Sequence, residues 1–409
     1  MSGEQHVLAN GLTVAVDPLP GAESVVLGLY ASIGSRSEPA PLSGLAHLVE
    51  HMVFKGAGGR DTRALAEVIE DVGGSLNAWT ARDQTVFHGR ALARDLPLVA
   101  ELIADLVRAP HFDEEHLERE KKVILSELGE SIDSPDDLVH DHLFEAAFEG
   151  QAIGRPVLGN EEAVRSVARQ DCFDWLEQQF VPSRLVLAAS GRVDDNEVLR
   201  LAERLFGNME PRSVPAIEQA HFTGGVRNDR RSFEQAHWCL AFEGRSAADP
   251  RNPALALFVQ ALGGGTSSRL FQELREERGL AYSIYAWNQA FADTGLVGIG
   301  CAAERARAAE SVQLTREVLA ATVDGLSDAE LSRARAQMEA GLLMSLETAQ
   351  GRADHLARSI EVFGRILSLA EALEQIRAVT VGDARAAGRA LLDGPVAVAS
   401  VGAKLALAA

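Results

Sequence analysis

Ser75-Leu-Asn-Ala-Trp-Thr-Ala-Arg-Asp-Gln-Thr-Val-Phe-His-Gly-Arg-Ala91 decides the fold class. Two runs with strand character, Ser75–Ala81 and Thr85–Ala91, flank a short polar turn, Arg82-Asp83-Gln84. A turn this short brings the chain back alongside itself, so the segment reads as a hairpin within a largely antiparallel sheet. Around it lie segments with apolar residues at helical spacing, among them Asp95–Arg108 and Asp113–Glu130. Strands and helices do not alternate as regular βαβ units. The expected class is therefore α+β, with helices packed against sheets.

The pattern repeats. Val25-Val-Leu-Gly-Leu-Tyr-Ala-Ser32 has a counterpart in His237-Trp-Cys-Leu-Ala-Phe-Glu-Gly244, an offset of 212. Arg184-Leu-Val-Leu-Ala-Ala-Ser-Gly191 resembles Pro395-Val-Ala-Val-Ala-Ser-Val-Gly402, an offset of 211. Two nearly equal offsets at opposite ends of one unit point to an internal duplication. Met209-Glu-Pro-Arg-Ser-Val-Pro-Ala-Ile-Glu218 is rich in turn formers and polar residues. The expected organisation is an N-terminal domain over 1–208, a linker over 209–228 and a homologous domain over 229–409.

The 409 residues, 46% of them hydrophobic, suffice for more than one core. No run of about 18 apolar residues suggests a membrane span. The start, Met-Ser-Gly-Glu-Gln-His-Val-Leu, lacks the basic and apolar regions of a secretory signal. Cys172, Cys239 and Cys301 are odd in number and far apart, so they read as reduced thiols and the expected location is cytoplasmic. The formal net charge of −20 disfavours nucleic acid and anionic membrane as partners. It suits basic or neutral ligands.

Just upstream of the hairpin stands Ser43-Gly-Leu-Ala-His-Leu-Val-Glu-His-Met-Val-Phe-Lys-Gly56. It reads as a short helix, capped by Ser43 and closed by Gly56. His47 and His51, four apart, share one face, and Glu50 projects near it. Two imidazoles on one face can hold a zinc ion, and a neighbouring carboxylate can take a proton from water on it. The order H-x-x-E-H marks the inverzincin peptidases. The third ligand expected is Glu127, in Glu118-Arg-Glu-Lys-Lys-Val-Ile-Leu-Ser-Glu-Leu-Gly-Glu130, with Glu120 almost two turns before it on the same face. A carboxylate there could accept the other N–H of a ligand imidazole. Spacing alone leaves a solvated charged helix face open as the alternative.

The stretches Gly34-Ser-Arg-Ser-Glu38, Gly44 to Gly56, Asn77-Ala-Trp-Thr80, Glu120 with Glu127, and Ser268-Arg-Leu-Phe-Gln-Glu-Leu-Arg-Glu-Glu-Arg-Gly-Leu-Ala-Tyr-Ser283 together resemble the pitrilysin-type M16 zinc peptidases. The likeness is to the half-length subfamily that includes the mitochondrial processing peptidase β-subunits, and it covers nearly the whole chain. The resemblance implies two homologous domains of the LuxS/MPP-like kind. It implies one Zn2+ per chain on His47, His51 and Glu127, with Glu50 as general base and Glu120 behind the ligands. It implies that Asn77 and Ala78 lie on a substrate-binding edge strand. Arg275 and Tyr282 would complete the site from the second half, Tyr282 stabilising an oxyanion. It further implies peptide substrates, a chamber closed by two chains, and a homodimer or a heterodimer with a related M16 subunit. A non-catalytic scaffold of the same fold, or a zinc hydrolase of another kind, stands as the alternative.

The second half lacks the motif. At the 212 offset His47 falls near Val259 and His51 near Gly263, and no histidine lies between His237 and His355. Gly263-Gly-Gly-Thr-Ser-Ser268 lacks the ending of a phosphate loop and reads as a turn. His140 and His142, two apart, are not expected to be ligands.

Overall fold

The structure is a computed structural model that describes residues 3–214 and 216–406. Pro215, inside the expected linker, and the extreme ends of the two expected domains lie outside the described residues. The chain forms two compact units.

The first unit is built on a six-stranded sheet. Its order is Glu4–Val7, Thr13–Pro18, Leu185–Gly191, Ser24–Ala31, Thr85–Leu92 and Ser75–Thr80. All neighbours are antiparallel except Thr13–Pro18 and Leu185–Gly191, which are parallel. The hairpin forms as the sequence suggests, with Ser75 opposite Arg90 and Thr80 opposite Thr85, and its first strand is an edge of the sheet. Alternation along the strands buries both faces. Val14, Val16, Val25, Leu27, Leu29 and Phe87 enter one core, beneath helices that include Leu45–Val53 and Leu96–Arg108. Ala15, Val26, Tyr30, Val86, Val186 and Ala188 enter another. That second face is covered by helix Ala349–Phe363 through Ala353, Leu356, Ala357 and Ile360, a stripe at helical spacing.

The second unit repeats the plan with five strands, in the order Gly225–Asp229, Val396–Val401, Gln235–Glu243, Gly295–Glu304 and Ala281–Ala290. Its one parallel pair, Gly225–Asp229 with Val396–Val401, stands where the parallel pair of the first sheet stands. Trp238, Leu240, Phe242, Ile299 and Val398 face one core. Cys239, Ala241, Ala397, Ala399 and Val401 face the other, covered by helix Pro135–Ala147. The α+β class and the duplication are thus both present.

The expected domain boundaries need correction. Residues 129–155 belong to the second unit, and 343–369 to the first. The cause is the second apolar face of each sheet. It is covered by a helix from the other half of the sequence, and the two covering helices begin about 214 residues apart. The expected linker is also shorter than 209–228, because Gly225–Asp229 is a strand that pairs through its backbone. The three cysteines are free, and all three are buried. Among the described residues no helix is long and apolar enough to cross a membrane.

Candidate metal centre

The helix that carries the motif runs Leu45–Val53. Leu45, Ala46, Leu48, Val49, Met52 and Val53 are buried in the core, which leaves His47, Glu50 and His51 on the remaining face. Ser43 is not its cap. Gly44, in the left-handed region, precedes the helix, and Glu38 does the capping: its carboxylate accepts from Gly44 N at 2.8 Å and Ala46 N at 2.7 Å. A buried carboxylate at a helix N-terminus satisfies free N–H groups and complements the dipole. Nor does Gly56 close the helix, which ends at Phe54. Gly56 opens a two-residue strand and is glycine because a Cβ there would stand 2.5 Å from His111 Nδ1.

Helix Glu114–Asp133 supplies the opposing carboxylates. Leu117, Glu120, Ile124 and Glu127 form one stripe, and Leu117 and Ile124 anchor it in the core. Packing those two leucine-type positions therefore delivers the two acids to the motif helix. Glu127 Oε2 lies 4.0 Å from His47 Nε2 and 3.8 Å from His51 Nε2. Glu120 Oε2 lies 3.2 Å from His51 Nδ1, and its Oε1 receives Lys55 Nζ at 3.0 Å. His47 and His51 are edge to face, with ring centroids 4.6 Å apart.

Burial and the neighbouring His51 push His47 down to about 4, so near neutrality its ring is uncharged and offers a lone pair. Burial raises the pKa of Glu50, and Glu127 adds to the rise, while Thr80 and His51 pull it partly back. Glu50 Oε2 and His47 Nδ1 are buried without a hydrogen-bond partner. Two imidazoles and one carboxylate place one donor atom each within 4.8 Å of one another, the one such group among the described residues. Ligands about 2.1 Å from a tetrahedral metal stand roughly 3.4 Å apart, so Glu127 lies about half an ångström beyond that spacing from each histidine. Two imidazoles and one carboxylate make a donor set that fits a catalytic zinc centre.

Asn77 and Ala78 lie on the edge strand, and Ala78 N–H donates to Asn77 Oδ1 at 2.9 Å. Thr80, two residues on, bears on Glu50. In the second unit, Arg275 and Tyr282 come together: the Arg275 guanidinium lies 4.9 Å from the Phe271 ring centroid and 5.9 Å from that of Tyr282. Arg275 sits in a π-helical turn, and Tyr282 sits where the register of strand Ala281–Ala290 shifts. Irregular backbone of this kind re-aims side chains, and Tyr282 is 73% exposed. His140 Nε2 meets the Tyr285 hydroxyl at 2.8 Å. His142 faces Glu145 and Asp229. Glu38, Lys55 and Thr80 lie in the stretches that carry the resemblance, but the sequence reading assigned no role to any of them. Only Lys55 carried a periodic signal, four residues after His51.

Residues 13–161 match the model of the insulinase family, peptidase family M16, and residues 166–338 match that of the peptidase M16 inactive domain. An uncharacterized zinc protease of Streptomyces coelicolor is 34% identical over 395 residues, covering 94% of this chain and 86% of that protein. One from Bacillus subtilis is 30% identical over 402 residues, covering 97% and 98%. Two solved structures share the fold at a TM-score of 0.91: a peptidase M16 inactive domain from Pseudomonas fluorescens, 21% identical and covering 99% of each chain, and a protease from Helicobacter pylori, 20% identical and covering 98% and 99%.

Proposed function

The chain belongs to peptidase family M16, and from that premise we propose that it is a zinc-dependent endopeptidase. One observation carries the reading. His47, His51 and Glu127 converge beside the Glu50 carboxylate, whose Oε2 is buried without a hydrogen-bond partner. His47 Nε2, His51 Nε2 and a Glu127 oxygen would hold one zinc ion per chain. A zinc ion there supplies Lewis acidity, which polarises a carbonyl and acidifies a water.

Glu50 takes a proton from the attacking water as its oxygen bonds to the scissile carbonyl carbon. It then gives that proton to the leaving amine nitrogen as the C–N bond breaks. Its raised pKa suits both halves of this task. The edge strand Ser75–Thr80 lays an extended peptide alongside itself, and the Ala78 N–H is the donor that Asn77 now satisfies. Main-chain pairing of this kind reads extended shape more than sequence, which favours oligopeptides and unfolded segments. Arg275 would hold a substrate carbonyl or carboxylate, and the exposed Tyr282 phenol would donate to the oxyanion. Two such chains would pair to close a chamber around the peptide.

Cleavage of a fluorogenic peptide by the wild type and by Glu50→Gln tests the reading. Loss of a general base costs about 10²- to 10⁴-fold in rate. Zinc binding without Glu50-dependent cleavage would mark a non-catalytic scaffold instead. Light scattering tests the pairing: monomers that still cleave peptide contradict it.

A further inference from the structure

Glu120 is a buried carboxylate, 8% exposed, held between two groups of the motif segment. Its Oε2 faces His51 Nδ1 at 3.2 Å and its Oε1 faces Lys55 Nζ at 3.0 Å. His47, His51 and Lys55 follow one another at intervals of four residues. Glu120 and Glu127 answer them from the other helix at an interval of seven. Together they make a ladder: Glu127 spans the two histidines, and Glu120 spans His51 and Lys55. Lys55 lies just past the end of its helix, and its backbone is fixed at both ends. Its N–H donates to Met52 O at 3.0 Å, and its carbonyl accepts from Thr62 Oγ1 at 2.9 Å. The backbone of Lys55 is thus placed by local structure, with its ammonium in reach of Glu120.

We propose that Lys55 is a positioning residue that acts through Glu120 on His51. With Oε1 tied to Lys55, the carboxylate has one oxygen left for His51. That oxygen accepts the Nδ1–H, which fixes both the ring plane and the tautomer. The Nε2 lone pair then points toward Glu127. A ligand imidazole ordered this way meets a metal without first reorienting. Without Lys55, one oxygen of a buried carboxylate loses its ion-pair partner, and the group has no reason to keep its other oxygen on His51. The inference rests on His47, His51 and Glu127 being metal ligands, so the wild type is measured first.

The experiment is zinc affinity by chelator competition, together with the His51 tautomer in metal-free protein read by long-range nitrogen–proton NMR. Loss of a direct partner of a ligand histidine weakens metal binding about 10- to 100-fold, and Lys55, one contact further out, is expected to account for about 10-fold. Lys55→Met should weaken zinc by that factor and give a mixed His51 tautomer. Lys55→Arg should recover most of the affinity. Lys55→Met combined with Glu120→Gln should bind no more weakly than Glu120→Gln alone. Lys55→Gln carries the same readings where Lys55→Met fails to fold. Unchanged affinity with a single Nδ1–H tautomer in the neutral variants overturns the proposal, and so do losses that add in the double variant. A wild type that binds no zinc overturns the metal centre itself, and is recognised before any substitution is made.

Discussion

Helix Leu45–Val53 and helix Asn252–Gly263 occupy matching places beside two sheets of matching strand order, yet they present opposite chemistry. In the first, His47, Glu50 and His51 line a half-buried face. At the same offset the second has Val259, Leu262 and Gly263, all buried. The opposing helices differ in the same way. Counted from their first residues, Glu120 and Glu127 of Glu114–Asp133 correspond to Ala334 and Gly341 of Asp328–Ser345. One half keeps donor atoms where the other has an alanine and an exposed glycine. The fold supplies a place between two helices, and the side chains alone decide whether it becomes a site.

The sharpest break to the comparison is to separate the halves. Residues 1–208 alone lack helix Ala349–Phe363 and expose the face formed by Val26, Tyr30, Val86 and Val186. Losing Leu356 and Ile360 removes roughly 3–6 kcal/mol of apolar burial. Tyr30 also loses Asp354 Oδ1 at 2.6 Å, and the fully buried Asp17 loses Arg352 at 2.9 Å. The fragment should bind hydrophobic dye and melt without a cooperative transition. Cooperative melting would show that the exchanged helix is dispensable.

A milder break grafts a ligand into the second half. A Cβ on Gly263 would stand 2.6 Å from Ala286 Cβ, so Gly263→His overpacks the helix against its strand. A loss of about 1–3 kcal/mol is expected in thermal melts. Zinc content should stay at that of the wild type, and a second equivalent of metal would refute the contrast.

The smallest expected effect concerns the ion pair on helix Asp328–Ser345 of the second half. Arg269 grips Glu330 through both oxygens and holds its pKa down to about 2. A depressed carboxylate contributes stability above its unfolded value near 4.5, and that contribution disappears as pH falls through about 2. Glu330→Gln should therefore cost about 1 kcal/mol at pH 7 and nothing near pH 2. A gap between the two melting curves that persists at pH 2 would assign the effect elsewhere.

Much of this was legible in the sequence because the signals are local. The Arg82–Gln84 turn marked the hairpin, the two nearly equal offsets marked the duplication, and the four-residue interval marked the His47 and His51 face. Glu127 was visible as an acid seven residues after Glu120 on one helix face, and its role came from the family resemblance. The helix exchange was not legible, because strands buried on both faces do not say which helix covers the second one. Glu38 was hidden because it caps from outside the helix, six residues before Gly44, in place of the nearer Ser43. Strand Gly225–Asp229 has one apolar side chain and forms by backbone pairing, so it read as linker.

The central claim is that the duplicated fold carries one metal centre, in the first half. Zinc per chain, measured by elemental analysis on purified wild type and on His51→Ala, tests it most directly. One zinc in the wild type and none above background in the folded variant is the expected result. Zinc retained by His51→Ala, or a metal-free wild type that still cleaves peptide, would contradict it.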